Sequence, residues 1–103
     1  MLSAIRSLLG LGPKADYAEL IKLGATIVDV RTKGEYQGGH IKGSVNIPLQ
    51  GIEKSLARIK KDKPVIVCCA SGMRSGSAKS ILKSNGYTEV YNGGGWISLQ
   101  GKI

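Results

Sequence analysis

Apolar residues along this chain change their spacing several times, and each change predicts an element. Leu2, Ile5, Leu8 and Leu9 share one helical face, Arg6 and Ser7 lie off it, and Gly10, Gly12 and Pro13 close the pattern. A second helix is predicted from Tyr17 to Leu23, with Asp16 at its start, Glu19 three residues on as in a capping box, and Gly24 as its stop. Thr26-Ile27-Val28-Asp29-Val30 then reads as a strand, and Ile52, Leu56 and Ile59 return to helical spacing. Lys60-Lys61-Asp62-Lys63-Pro64 ends that helix as a solvated loop. Val65-Ile66-Val67-Cys68 is apolar at every position, the pattern of a strand buried on both faces. Ala78, Ile81 and Leu82 share a face of a helix predicted over 75–85 with Gly86 as its stop, and Thr88 to Tyr91 predicts a last short strand. Helix and strand alternate, which implies an α/β fold with a mainly parallel sheet.

A length of 103 residues fits one domain. Residues 1–15 are expected as a short N-terminal amphipathic extension and 16–103 as the domain proper. The extension is expected to pack on its own domain, since it lacks the sizeable basic face of a membrane-surface helix. It is also too short and too interrupted for a signal peptide or a span, so the expected compartment is the cytoplasm. No Phe is present, which leaves Ile, Leu and Val to build an aliphatic core.

Fifteen Lys and Arg against seven Asp and Glu give a formal net charge of +8. That charge concentrates small anions and acidic partners near the surface, or simply keeps the protein soluble. The lysines are scattered and no nucleic-acid motif is present, so nucleic acid is not an expected partner. Two adjacent cysteines and one histidine offer neither a long-range disulfide nor a metal site. No cofactor is expected.

Cys69 sits where the doubly buried strand stops and Ala70-Ser71-Gly72-Met73-Arg74-Ser75 leads into the next helix. Backbone N–H groups of the turn and of the helix N-terminus converge there and favour thiolate over thiol, with Arg74 as a candidate cation and Gly72 allowing the chain to curl around the sulfur. Cys68 points to the opposite face of the strand and is expected to behave as a small buried hydrophobe.

The string Cys69-Ala70-Ser71-Gly72-Met73-Arg74-Ser75 resembles the active-site loop of the rhodanese family of sulfurtransferases. A second stretch, from Asp29-Val30-Arg31 through Glu35-Tyr36, Gly39-His40-Ile41 and Gly43 to Pro48, resembles that family's amino-terminal signature, with Ser44 and Gly34 as departures. Asn92-Gly93-Gly94-Gly95-Trp96 resembles its closing glycine pair and tryptophan, the third glycine making a loose turn. The resemblance spans roughly residues 16 to 100. It implies a three-layer α/β/α sandwich with a mainly parallel sheet of four or five strands. Gly12-Pro13-Lys14-Ala15 is poor material for the family's first edge strand.

The resemblance also implies that Cys69 accepts a sulfane sulfur as a persulfide and passes it to a thiophilic acceptor, with residues 70–75 holding the substrate. Expected partners are a small anionic sulfur donor such as thiosulfate and a thiol or protein acceptor, and the chain is expected to act as a monomer. Four residues separate Cys69 from Arg74; related phosphatases and arsenate reductases carry a loop one residue longer, so loop length weighs against their chemistry. The competing class is a non-catalytic interaction module, and retention of Cys69 is what discriminates. Around the site, Asp29 is expected to accept backbone hydrogen bonds, Arg31 and Glu35 to pair across a turn, His40 to be structural, and Trp96 to pack.

Overall fold

The computed structural model describes residues 15–103, so the predicted N-terminal helix and all but the last residue of the doubtful edge segment lie outside the described residues. In chain order the elements are α1 (Tyr17–Lys22), β1 (Thr26–Asp29), α2 (Lys33–Gln37), β2 (Val45–Asn46), two 3-10 turns (Leu49–Lys54 and Leu56–Arg58), β3 (Val65–Cys69), α3 (Met73–Ser84), β4 (Val90–Gly95) and α4 (Trp96–Gln100). The four strands form one parallel sheet in the order β2-β1-β3-β4. This is the predicted α/β architecture, with β3 buried at all five positions.

Alternation along β3 divides the core. Val65, Val67 and Cys69 face a layer with Ala78 and Leu82 of α3 and with Ile52, Ile59 and Tyr87. Ile66 and Cys68 face the other layer, with Leu20 of α1, Ile41 and Leu99 of α4. Helices therefore cover both faces, and the two adjacent cysteines lie on opposite sides of the sheet.

Several local predictions are corrected. The helix expected over Ile52 to Ile59 is two 3-10 turns, closed by Ser55 N–H to Ile52 O at 3.0 Å and Ile59 N–H to Leu56 O at 2.9 Å. Pro48 starts the segment and Gly51 weakens it, while the Tyr87 hydroxyl donates toward the Leu56 and Ile59 carbonyls at 2.9 and 2.7 Å. The apolar spacing thus serves burial of Ile52 and Ile59 without an α-helix. The last strand runs through the glycines to Gly95, not from Thr88 to Tyr91. Those glycines are no loose turn: a Cβ on Gly93 would meet Leu99 Cδ2 at 2.8 Å and Ile66 Cγ2 at 3.0 Å.

A further correction concerns charge. Arg31 pairs with Asp29, not with the Glu35 side chain. Arg31 Nε and Nη2 donate to the Asp29 carboxylate at 3.0 and 2.7 Å, and both residues are buried. As expected, Asp29 also accepts a backbone hydrogen bond, from Arg31 N–H at 3.0 Å. The rest of the guanidinium donates to the carbonyls of Glu35 and Gly39 and stacks 4.8 Å over the Trp96 ring. Removing one charge would leave the other buried and unpaired, at a cost of about 3–5 kcal/mol. Asp29→Asn is therefore expected to lower the urea unfolding free energy by about that amount; a loss below 1 kcal/mol in equilibrium denaturation would show that the pair is not structural.

Candidate active site

The site is built where β3 runs out. Pairing with β4 shifts register between Val67 and Cys68, so that Cys69 lies opposite Gly95. A Cβ on Gly95 would meet Ala70 O at 2.8 Å, so glycine lets the β4 backbone form a close wall against the first loop residue. The chain then turns back through Gly72 at φ 103°, a left-handed conformation that β-carbons disfavour, and enters α3 at Met73. That start, two residues earlier than predicted, places Arg74 and Ser75 in the first helical turn.

Beneath the loop lies the Cys69 sulfur. Gly72 N–H donates to Sγ at 2.9 Å, and the Ser75 hydroxyl lies 3.4 Å away. Burial pushes the thiol pKa up, but the Ser75 hydroxyl and the backbone N–H groups of Ser75, Gly72 and Ser71 outweigh it and leave the thiol below its ordinary value. Cys68, one residue earlier, shows the opposite balance: burial first, then the Asp29 charge, push its thiol up to about 12. The pair is thus one thiol prepared to ionise and one that is not.

Ser75 has one hydroxyl proton and two acceptors. Asn92 Oδ1 lies 2.6 Å from Ser75 Oγ and also accepts Gly94 N–H at 2.9 Å, while Asn92 Nδ2 donates to Gly72 O at 3.2 Å. The shorter contact assigns the proton to Asn92 while Cys69 is a thiol, whose own S–H then faces Ser75 Oγ. Ionisation of Cys69 rewards rotation of the hydroxyl toward sulfur. Asn92 is a site residue that sequence reasoning missed; its place beside the glycines marked it only as part of a turn.

Arg74, the candidate cation, donates from Nη1 and Nη2 to the two carboxylate oxygens of Glu35 at 2.7 and 2.9 Å. The Glu35 hydrogen bond is also what chiefly raises the Arg74 pKa, and the Cys69 charge is a smaller cause acting on it in the same direction. Of the other loop residues, Ala70 and Ser71 are exposed and Met73 is 82% exposed, so these three surround the sulfur with backbone more than with side chain. His40 stacks on Tyr36, its Nδ1 lying 2.8 Å from Tyr36 O, and its hydrogen bond does not go to the loop.

Two hollows flank these elements. One of about 170 Å³ beside Arg74 is lined by Val30, Thr32, Pro48, Leu49 and Gln50. A larger one of about 610 Å³, between α2 and β2, includes no residue of the loop, so size does not mark the chemistry. Among the described residues no cluster of metal-ligating side chains occurs, and no helix is long and apolar enough to cross a membrane.

The family model described as the rhodanese-like domain matches residues 14–99. The chain belongs to the rhodanese family. It is 45% identical over 80 residues to the uncharacterized protein YqhL of Bacillus subtilis, covering 77% of this chain and 64% of that one. It is 44% identical over 70 residues to the thiosulfate sulfurtransferase PspE of Escherichia coli, covering 66% of this chain and 67% of that one. A solved rhodanese with anions from E. coli superposes with a TM-score of 0.67 at 39% identity, covering 73% of this chain and 91% of that one.

In this rhodanese domain the thiolate is supported by hydrogen bonds from the loop, so its ionisation is testable by itself. Alkylation of Cys69 by iodoacetamide is expected to rise with pH around a midpoint below the ordinary thiol value of about 8.5. Ser75→Ala should move that midpoint upward, because one donor to the thiolate is gone while the backbone N–H groups stay. An unmoved midpoint in that variant would assign thiolate support to the backbone alone.

Proposed function

We propose that the chain is a sulfurtransferase that carries sulfur as a persulfide on Cys69. The observation that carries this reading is the Cys69 sulfur at the end of β3, hydrogen-bonded by Gly72 N–H and held below its ordinary pKa by the loop. Family membership and relatives named thiosulfate sulfurtransferases support it.

In the first half-reaction the Cys69 thiolate attacks the outer sulfur of thiosulfate. A bond forms between the two sulfurs, the bond to the sulfonate sulfur breaks, and its electron pair leaves with sulfite. The products are a Cys69 persulfide anion and sulfite, with charge conserved and no proton moved. A general base is therefore not required, and His40 needs no catalytic part. Residues 70–75 form the cradle, in which backbone N–H groups aimed at the sulfur offset its negative charge. In the second half-reaction a thiol, or cyanide in the test tube, attacks the outer sulfur and restores the Cys69 thiolate.

Incubation with thiosulfate is expected to add one sulfur atom to Cys69, visible by intact-mass spectrometry and removed by cyanide as thiocyanate. Cys69→Ser should abolish both; an unchanged thiocyanate rate in that variant would assign the chemistry elsewhere, whereas a wild type that forms neither adduct nor thiocyanate would leave a non-catalytic module as the better reading.

Cys68 faces the opposite core layer and holds its proton to about pH 12. A disulfide between adjacent residues would also require strained geometry. Cys68→Ala should consequently keep turnover with cyanide or a small thiol within about twofold and cost about 1 kcal/mol of stability, the scale of a small buried group. Loss of sulfur release to thiols, with the Cys69 persulfide still forming, would make Cys68 a resolving thiol.

A further inference from the structure

The Asn92 side chain is placed by the backbone around it. Asn92 lies opposite Val67 in the sheet, and its carbonyl accepts the Tyr17 hydroxyl at 3.2 Å. Its carboxamide has one orientation open to it, because Gly94 N–H can only donate and Gly72 O can only accept. Oxygen therefore faces Gly94 and Ser75, and nitrogen faces Gly72. The family resemblance of this stretch lies in its glycines and Trp96 and gives Asn92 no part.

That orientation decides where the Ser75 proton lies. Asn92 Oδ1 carries no hydrogen, so the 2.6 Å contact requires the serine hydroxyl to donate to it. A hydroxyl has a single proton, so Ser75 Oγ turns a lone pair to the Cys69 sulfur 3.4 Å away. A lone pair accepts the thiol proton and repels a thiolate. Asn92 therefore favours the thiol, while Gly72 N–H, 2.9 Å from Sγ, favours the thiolate. Ionisation turns the hydroxyl to sulfur at the cost of its bond to Asn92, so Ser75 lowers the thiol pKa by less than an untethered serine would. Of the charged groups nearby, Arg74 is answered by Glu35 and Asp29 by Arg31, and Cys68 keeps its proton up to about 12.

We propose that Asn92 is a positioning residue for the Cys69 chemistry: by accepting the Ser75 proton it gives the serine two positions, toward Asn92 when Sγ is uncharged and toward Sγ when it is an anion. This rests on the sulfurtransferase reading of Cys69 and deepens it. In the persulfide anion the charge sits on the outer sulfur, about 2 Å beyond Sγ, and the hydroxyl returns to Asn92. When a thiol attacks that outer sulfur, the S–S bond breaks, its electron pair returns to Sγ, and the hydroxyl turns to stabilise the departing thiolate. Neither turn transfers a proton; only the O–H rotates. The hold of Asn92 also keeps the Cys69 thiolate more basic, and so more nucleophilic, than a freely donating serine would leave it.

The test is the iodoacetamide midpoint of Cys69 in a double-mutant cycle. Asn92→Leu keeps the bulk of the side chain and removes its acceptor, and Gly72 O still accepts Gly76 N–H at 3.0 Å. The midpoint is expected to fall by about half to one pH unit, the size of one ordinary hydrogen bond. In a Ser75→Ala background the same substitution should bring no such fall, because no hydroxyl is left to release. Single-turnover formation of the persulfide from thiosulfate, measured well above every midpoint, should slow about two- to threefold in Asn92→Leu. A midpoint that rises or stays in folded Asn92→Leu, or that falls equally in both backgrounds, would overturn the proposal and leave Asn92 a tie between β4 and the loop.

Should Asn92→Leu fail to fold, neutron diffraction from deuterated wild-type crystals decides. Deuterium on Ser75 Oγ directed to Asn92 below the Cys69 midpoint and to Sγ above it supports the two positions, and a single direction at both pH values overturns them. A wild type that forms no persulfide would sink the sulfurtransferase reading, while the midpoints and the deuterium positions would still report on Asn92.

Discussion

A carboxylate and a guanidinium sealed together at the end of β1 govern how the rest of this domain is arranged. Burial of Asp29 and Arg31 is tolerable only if every strong donor and acceptor is answered, and the answers come from several segments. Glu35 O and Gly39 O take the outer guanidinium protons, Trp96 covers its face, and Asn46 Nδ2 donates to Asp29 O and Arg31 O. One ion pair thereby fixes α2, the turn after it, β2 and the start of α4 against the carboxyl end of the sheet. The Glu35 backbone is part of that answer, so its side chain is delivered to Arg74 by a contact one shell further in.

The cysteine loop is shaped by what surrounds it on the other side. A parallel sheet places its strand ends together, and here β4 contributes glycines where a side chain would strike Leu99, Ile66 or Ala70. With no side chain between them, the Ala70 carbonyl and the Gly95 backbone come close enough to set the path of the loop. Asn92 then ties that wall to Ser75 and to Gly72. Chemical preparation of Cys69 is therefore a matter of backbone placement, with one serine and one asparagine adjusting it.

Much of this was legible in the chain. Val65 to Cys69 announces a doubly buried strand because every position is apolar, and the loop after it announces its nucleophile by position, since a strand end followed by a glycine and a helix start concentrates N–H groups. Opposed orientation of Cys68 and Cys69 follows from the two-residue period of a strand. What could not be read were choices between equally short-range options, and contacts between positions far apart in the chain. Arg31 has acids at positions 29 and 35, and only the burial of Asp29 decides between them. Glu35 and Arg74 are 39 positions apart, and no local pattern joins them. Ile52, Leu56 and Ile59 suit a helical face, but two 3-10 turns bury Ile52 and Ile59 as well. Asn92 looks like a turn residue until Ser75 is seen across from it.

The separation of those partners bears on how the site is lost. Residues 69–75 are contiguous, yet Glu35 lies 39 positions before Arg74, Asn92 lies 17 positions after Ser75, and Gly95 pairs with Cys69 across the sheet. No short fragment around the loop contains a prepared cysteine, because its supports are gathered from α2 to β4. A surface loop of this length would ordinarily belong to the low-stability end of a protein's openings. Here its supports come from distant segments of the fold, so preparation of the cysteine depends on the sheet being assembled around it.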